Sequence, residues 1–181
     1  IAAAAAAPCV GQQQVTGLDL DVVDLGRKVL GRTVLADQRL LAARAWQPAA
    51  LLDSGRLRTL KGKTVLVVGL GGIGTEVAQR AHALGMRVIA TRASGRTGPD
   101  FVSYVGSPEE LAKLATEADV IVDALPLTSA TASTFDARMF ERMKRGALFV
   151  NVGRGGTVVT SALVDALQSG ALGGAALDVT D

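Results

Sequence analysis

After Lys63, short runs of β-branched and apolar residues alternate with amphipathic stretches for most of the chain, and the first run ends in a glycine cluster that opens a helical pattern. Together these features predict an α/β fold, a doubly wound parallel sheet. Strands covered by helices on both faces read as continuous apolar runs, and helical crossovers set successive strands parallel. With 181 residues and 49% apolar content, the chain can build one core of ordinary domain size.

The elements follow in order. KTVLVVG (63–69) is the first strand. Ile73, Val77, Ala81 and Leu84 then recur at helical spacing, with Gly85 placed as the residue that ends the helix. MRVIATR (86–92) is the second strand. A Pro- and Gly-containing loop leads to a short strand, FVSYV (101–105), and a helix opens in SPEELAKLATEA. There Ser107 is the N-cap, Pro108 takes the first position and Glu110 completes a capping box. DVIVDAL (119–125), ALFVNV (147–152) and GGAALDV (173–179) read as buried strands, with helical stretches at about 136–144 and 160–169. A helix over 32–45 is expected, with Trp46 packing where it meets the sheet. Two segments result: residues 1–31, without clear elements, and 32–181, the sheet domain. The six alanines at 2–7 look like an artefact, either an added scar or stand-ins for unidentified residues, and 1–10 are set aside from the fold reading.

Composition excludes several classes. Nineteen Lys and Arg against 17 Asp and Glu give a net charge of +2, and with 3% aromatics no window combines basic and stacking residues as nucleic-acid binding requires. No apolar run approaches the roughly 18 residues that would span a bilayer. Cys9 and His82 each occur once, so neither a disulfide framework nor a Cys/His metal site is expected, and a cytoplasmic location is.

The turn GLGGIG (69–74) fits G-x-G-x-x-G with Gly69, Gly71 and Gly74. It follows a strand and opens a helix, the context in which the pattern signals dinucleotide binding. The first glycine allows the tight turn, the second lets the backbone approach a pyrophosphate, and the third lets helix and strand pack closely. The phosphates would lie on the helix N-terminus. At the end of the second strand, TRASGR (91–96) puts Thr91, Arg92, Ser94 and Arg96 where NAD-binding chains carry an acidic residue. A guanidinium pairs with a 2′-phosphate that a carboxylate would repel, so NADP is expected, with NAD possible.

Four ordered segments, LKGKTVLVVGLGGIGTEVAQRAHALGMRV, ADVIVDALPLTSAT, MKRGALFVNVGRGG and SALVDALQSGALGGAALDV, make the chain over roughly 59–179 resemble the D-isomer-specific 2-hydroxyacid dehydrogenases. That family includes glyoxylate and hydroxypyruvate reductases and phosphoglycerate dehydrogenase. The resemblance implies a Rossmann-type dinucleotide-binding domain of an oxidoreductase that moves a hydride between NADP(H), or NAD(H), and a small 2-keto or D-2-hydroxy acid. Asn151, Arg154 and Gly155 match the family's N-x-x-R-G motif, which makes Arg154 the implied catalytic residue, holding the substrate carboxylate and carbonyl oxygen. A fixed cation there would stabilise the charge that grows on the carbonyl oxygen.

By the same match, Gly72 and Ile73 would meet the pyrophosphate, and Pro126 and Thr131 would line the cofactor groove. Val152 and Gly153 would approach the nicotinamide, and Asp178 would accept from its carboxamide. Val159 and Thr160 stand where the family commonly has an acidic pair; Thr160 or Ser161 is expected to cap the following helix instead.

The family's general-acid histidine and its glutamate partner follow the AALDV strand, so they are expected beyond Asp181. His82 is read as a surface or boundary residue. The substrate domain is expected to be largely missing, with residues 1–31 a remnant and VTGLD (15–19) faintly like its closing segment. The sheet domain is expected to stop before its end, so that this piece alone would bind NADPH but be inactive. A homodimer is implied by the family. Two other readings stay open: a dinucleotide-sensing corepressor of the same fold, and a relative of formate dehydrogenase.

Overall fold

The computed structural model describes residues 59–180. Expectations for the helix at 32–45, Trp46, VTGLD and Cys9 lie outside those residues. The strands are β1 (Thr64–Val68), β2 (Arg87–Thr91), β3 (Tyr104–Gly106), β4 (Val120–Asp123), β5 (Ala147–Asn151) and β6 (Leu172–Leu177). All are parallel and lie in the order β3-β2-β1-β4-β5-β6. The order reverses between β1 and β4, and open α/β sheets bind ligands at such a switch point, outside the carboxyl ends of the strands. No helix among the described residues is long and apolar enough to cross a membrane.

The helices are α1 (Gly72–Ala83), α2 (Leu111–Ala115), α3 (Ala137–Arg142) and α4 (Thr160–Gln168). Because strand side chains alternate between faces, β1 feeds two cores. Val65 and Val67 pack with Ala78 and Ala81 of α1 and with Val88 and Val105. Leu66 and Val68 face the other side, with Leu111, Leu114, Leu163 and a cluster of Phe135, Phe140 and Phe149. Phe149 meets the other two rings edge-on, at centroid distances of 4.9 and 5.4 Å, a favoured aromatic geometry.

Several local expectations change. In α1 the buried face is Gly74, Ala78 and Ala81, while Ile73 and Leu84 are 59% and 58% exposed. The helix lies so close to the sheet that only small residues fit beneath it. Gly85, at φ +80°, follows the last turn as expected. The third strand begins only at Tyr104, because Val102 N–H turns back to the Pro99 carbonyl. Pro108–Glu110 is a 3₁₀ turn before α2, and the Glu110 carboxylate accepts from Ser107 N–H at 2.8 Å. Neither Thr160 nor Ser161 caps α4. Val159 is the extended N-cap residue, without a side-chain bond, and its backbone is tied to Phe135 instead.

At the amino edge Asp119 clamps three elements. It accepts from Thr64 N–H at 2.9 Å and from Lys144 Nζ at 2.6 Å, with Lys63 Nζ at 3.9 Å. Burial opposes ionisation, but the two lysines and the N–H prevail and hold this carboxyl below its ordinary value. A lowered carboxyl stabilises fully above its unfolded value, near 3.8, and loses that contribution as pH falls through the folded value. Asp119→Ala is therefore expected to cost about 1–2 kcal/mol at neutral pH. Urea melts at neutral and acid pH check this, and the gap from wild type should narrow in acid.

Candidate functional site

The ends of four strands line up in register: Val68 with Asp123, Asp123 with Asn151, and Asn151 with Leu177. The residues that follow, Gly69, Ala124, Val152 and Asp178, thus share the carboxyl edge of the sheet.

Gly69 turns the chain at φ +95°, a conformation costly for any residue with a Cβ. Its N–H and that of Leu70 both donate to the Thr91 carbonyl, at 3.2 and 3.0 Å. The buried Thr91 therefore ties the turn to β2. A Cβ on Gly74 would overlap the Gly69 carbonyl oxygen, whereas a Cβ on Gly71 or Gly72 would meet nothing within 4 Å. The N–H groups of Gly72, Ile73 and Gly74 sit in the first turn of α1, where no helical carbonyl precedes them. Gly71 offers no side chain to cap them. The result is an open, electropositive cradle suited to a pyrophosphate, with the Ile73 side chain exposed beside it.

At the end of β2, the exposed Arg92 donates from Nε to Ser94 Oγ at 2.8 Å and from Nη1 to the Thr97 carbonyl at 3.1 Å. The pair forms a small polar platform able to receive an anion through a guanidinium and a hydroxyl. Arg96 is not part of it. Glu110 takes Arg96 in an ion pair at 3.0 Å, next to the Tyr104 hydroxyl. His82 is exposed, its ring centroid 6.1 Å from that of Phe101.

Beyond β4, the Thr131 hydroxyl donates to the Pro126 carbonyl and accepts from Thr128 N–H at 2.8 Å. Thr131 and Pro126 thus brace one loop, which carries Leu127 51% exposed. Beyond β5, Asn151 closes the next loop: its Oδ1 accepts from Gly153 N–H at 2.9 Å and its Nδ2 donates to the Arg154 carbonyl at 3.1 Å. The Arg154 side chain is exposed, and its Nη1 donates to the Gly153 carbonyl at 2.7 Å. A Cβ on Gly153 would come within 2.6 Å of the Leu125 carbonyl oxygen, and one on Gly69 within 3.0 Å of the Ala124 carbonyl oxygen. Ala124 and Leu125 are therefore held between the glycine turn and the arginine loop, which places both flanks of the crevice at one switch point. Val152 is half-buried beside Gly153, and Asp178 N–H donates to the Asn151 carbonyl at 3.0 Å.

Chemically, this edge offers anion-binding N–H groups after β1, a platform one strand to one side and an exposed guanidinium two strands to the other. Two further residues sit beneath it: Asp123, fully buried, accepts from Leu125 N–H at 2.9 Å and is bonded to the buried Thr157 hydroxyl at 2.5 Å. Sequence reasoning took Asp123 as part of a strand. Its signal was a charged residue inside the otherwise apolar VIVDAL. A hollow at the opposite edge, beneath Lys63, Asp119 and Lys144, belongs to the clamp described above and lies far from this chemistry in the sheet.

Residues 29–181 match the family model described as D-isomer specific 2-hydroxyacid dehydrogenase, NAD binding domain. A relative named 2-hydroxyacid dehydrogenase A from Aspergillus oryzae is 46% identical over 122 residues, 67% of this chain and 34% of that protein. A protein described as a probable 2-hydroxyacid dehydrogenase from Rhizobium etli, solved with NADP, superposes with a TM-score of 0.70 at 28% identity, over 88% of this chain and 49% of that one. An NADPH-dependent glyoxylate/hydroxypyruvate reductase from Sinorhizobium meliloti superposes with a TM-score of 0.68 at 28% identity, over 88% and 78%. The chain spans about a third of the length of the Aspergillus relative.

Proposed function

This chain belongs to the D-isomer specific 2-hydroxyacid dehydrogenases through their NAD-binding domain, and from that premise we propose that it holds NADP(H) in preference to NAD(H) in a 2-keto acid reductase. The substrate is a small 2-keto acid, reduced to its D-2-hydroxy acid, as in glyoxylate and hydroxypyruvate reductases. One observation carries the reading: the Gly69 turn that opens the cradle and the Gly153 backbone of the Arg154 loop close on the same two residues, Ala124 and Leu125.

The cofactor, when bound, supplies or accepts the hydride. This chain's residues do the rest. Gly69, Gly71, Gly72, Ile73 and Gly74 receive the pyrophosphate on α1's first turn. Thr91 fixes that turn from below, and Arg92 with Ser94 receives the 2′-phosphate. Pro126, Thr131, Val152 and Gly153 wall the groove toward the nicotinamide, and Asp178 offers a carboxylate to its carboxamide. Arg154 holds the substrate carboxylate with its fork and stabilises negative charge on the carbonyl oxygen. The NADP named with the Rhizobium neighbour and the NADPH dependence named for the Sinorhizobium reductase favour the same cofactor.

A homodimer in a reducing, cytoplasmic setting completes the proposal, the latter resting on the single cysteine. The test is a substrate panel on the whole protein, with NADPH for the 2-keto acids and NADP+ for formate, which is a hydride donor. Turnover of glyoxylate or hydroxypyruvate is expected. Turnover of formate alone, or of none of the four acids when phosphohydroxypyruvate is included, would contradict it.

A further inference from the structure

Thr157 Oγ1 lies 2.5 Å from Asp123 Oδ2 and 2.6 Å from the Arg154 carbonyl oxygen. Both distances are those of an O–H···O hydrogen bond. A hydroxyl has one proton, and a carbonyl oxygen has none to give. If Asp123 were ionised, Thr157 could serve only one of two acceptors, and the other contact would be two lone pairs in close approach. The count closes when Asp123 carries the second proton: Asp123 Oδ2–H donates to Thr157 Oγ1, and Thr157 O–H donates to the Arg154 carbonyl. Asp123 Oδ1 still accepts from Leu125 N–H at 2.9 Å.

We propose that Asp123 and Thr157 are positioning residues, a neutral-acid relay that fixes the backbone of Arg154 from inside the sheet and so aims its guanidinium at the substrate. The proposal rests on the keto-acid reading for what Arg154 binds. Several facts place the relay beyond ordinary packing. Asp123 is 0% and Thr157 0% exposed, and no salt bridge reaches Asp123 among the described residues; its side chain bonds only to Leu125 and Thr157. Burial pushes its carboxyl above the ordinary value, as expected of an acid in an apolar site. The Arg154 carbonyl is the point where the relay and the Asn151 amide converge. The Arg154 side chain is exposed and, among the described residues, bonded only to the neighbouring Gly153 carbonyl, so its aim depends on how firmly its backbone is held. A neutral Asp123 also keeps an uncompensated negative charge away from a crevice that must admit phosphates and a keto acid.

Asp123→Asn and Thr157→Val separate the relay from a plain structural role. An asparagine reproduces the neutral pattern: its Oδ1 accepts from Leu125 N–H and its Nδ2 donates to Thr157. In the whole protein, Asp123→Asn is therefore expected to retain the wild-type KM for glyoxylate. Thr157→Val keeps the shape but removes the hydroxyl, and is expected to raise that KM by about tenfold or more while leaving NADPH affinity unchanged. Thr157→Ser is expected to restore it. In the infrared difference spectrum between wild type and Asp123→Asn, a carboxylic-acid C=O band should be present in the wild type at neutral pH. This readout needs neither turnover nor cofactor, so it decides the relay even if the enzyme reading fails. Absence of that band, or an Asp123→Asn variant that loses substrate affinity as Thr157→Val does, would overturn the proposal. Should Thr157→Val not fold, the infrared band and Asp123→Asn still decide it.

Discussion

Replacing Arg154 by methionine is expected to lower kcat/KM for a 2-keto acid by about 10²–10³-fold and to leave NADPH affinity unchanged. The side chain is exposed, and its one bond among the described residues is to the adjacent Gly153 carbonyl, so the substitution has little to disturb in the described fold. What it removes is a fixed positive fork beside the crevice. Lysine is expected to recover only part of the activity, because a point charge cannot grip a carboxylate through two parallel bonds. Steady-state kinetics of the whole protein with a separate NADPH titration read both outcomes, and an equal loss of NADPH binding would show that the residue serves the cofactor instead.

The glycine turn predicts an opposite pair of effects. A methyl group at Gly74 collides with the Gly69 carbonyl, backbone against backbone, where nothing can rotate away. Gly74→Ala is expected to cost about 3 kcal/mol of stability, the upper range for overpacking. At Gly71 the same methyl group enters open space, and the residue is already extended at φ −93°. Gly71→Ala should therefore fold with stability changed by no more than about 0.5 kcal/mol. Its NADPH affinity should nevertheless fall by about tenfold or more, because the methyl group occupies the space through which the pyrophosphate meets the N–H groups. Chemical denaturation and cofactor titration on the two variants check the pair. Loss of affinity without loss of stability at position 71 is the signature of a ligand seat.

Most of the sheet was legible in the sequence because its strands are covered on both faces, and KTVLVVG or ALFVNV has little alternative as a buried strand. The helix above the turn was harder to read. Its inward face is Gly74, Ala78 and Ala81, small residues that allow close approach. Of the four residues that gave the periodicity, Ala81 is buried and Val77 packs against the core, whereas the large residues Ile73 and Leu84 proved exposed. Composition could not show where Arg96 points, since its partner Glu110 is fourteen positions on and belongs to the cap of the next element. Thr157 likewise stands inside RGGTVV, and nothing local tells that its hydroxyl reaches Asp123, 34 residues earlier. Glycines and Arg154 announced themselves by motif. The groups that hold them in place did not, because long-range hydrogen bonds leave no periodic trace.

Titration of the protein with NADPH and with NADH tests the central claim most directly. A charge-assisted bond from Arg92 to the 2′-phosphate contributes about 1.5–3 kcal/mol, so NADPH should bind roughly ten- to a hundredfold more tightly than NADH. Substituting Arg92 by alanine should bring the two together. Binding of neither cofactor, or NADH bound as tightly as NADPH by the unaltered protein, would contradict this account of the crevice.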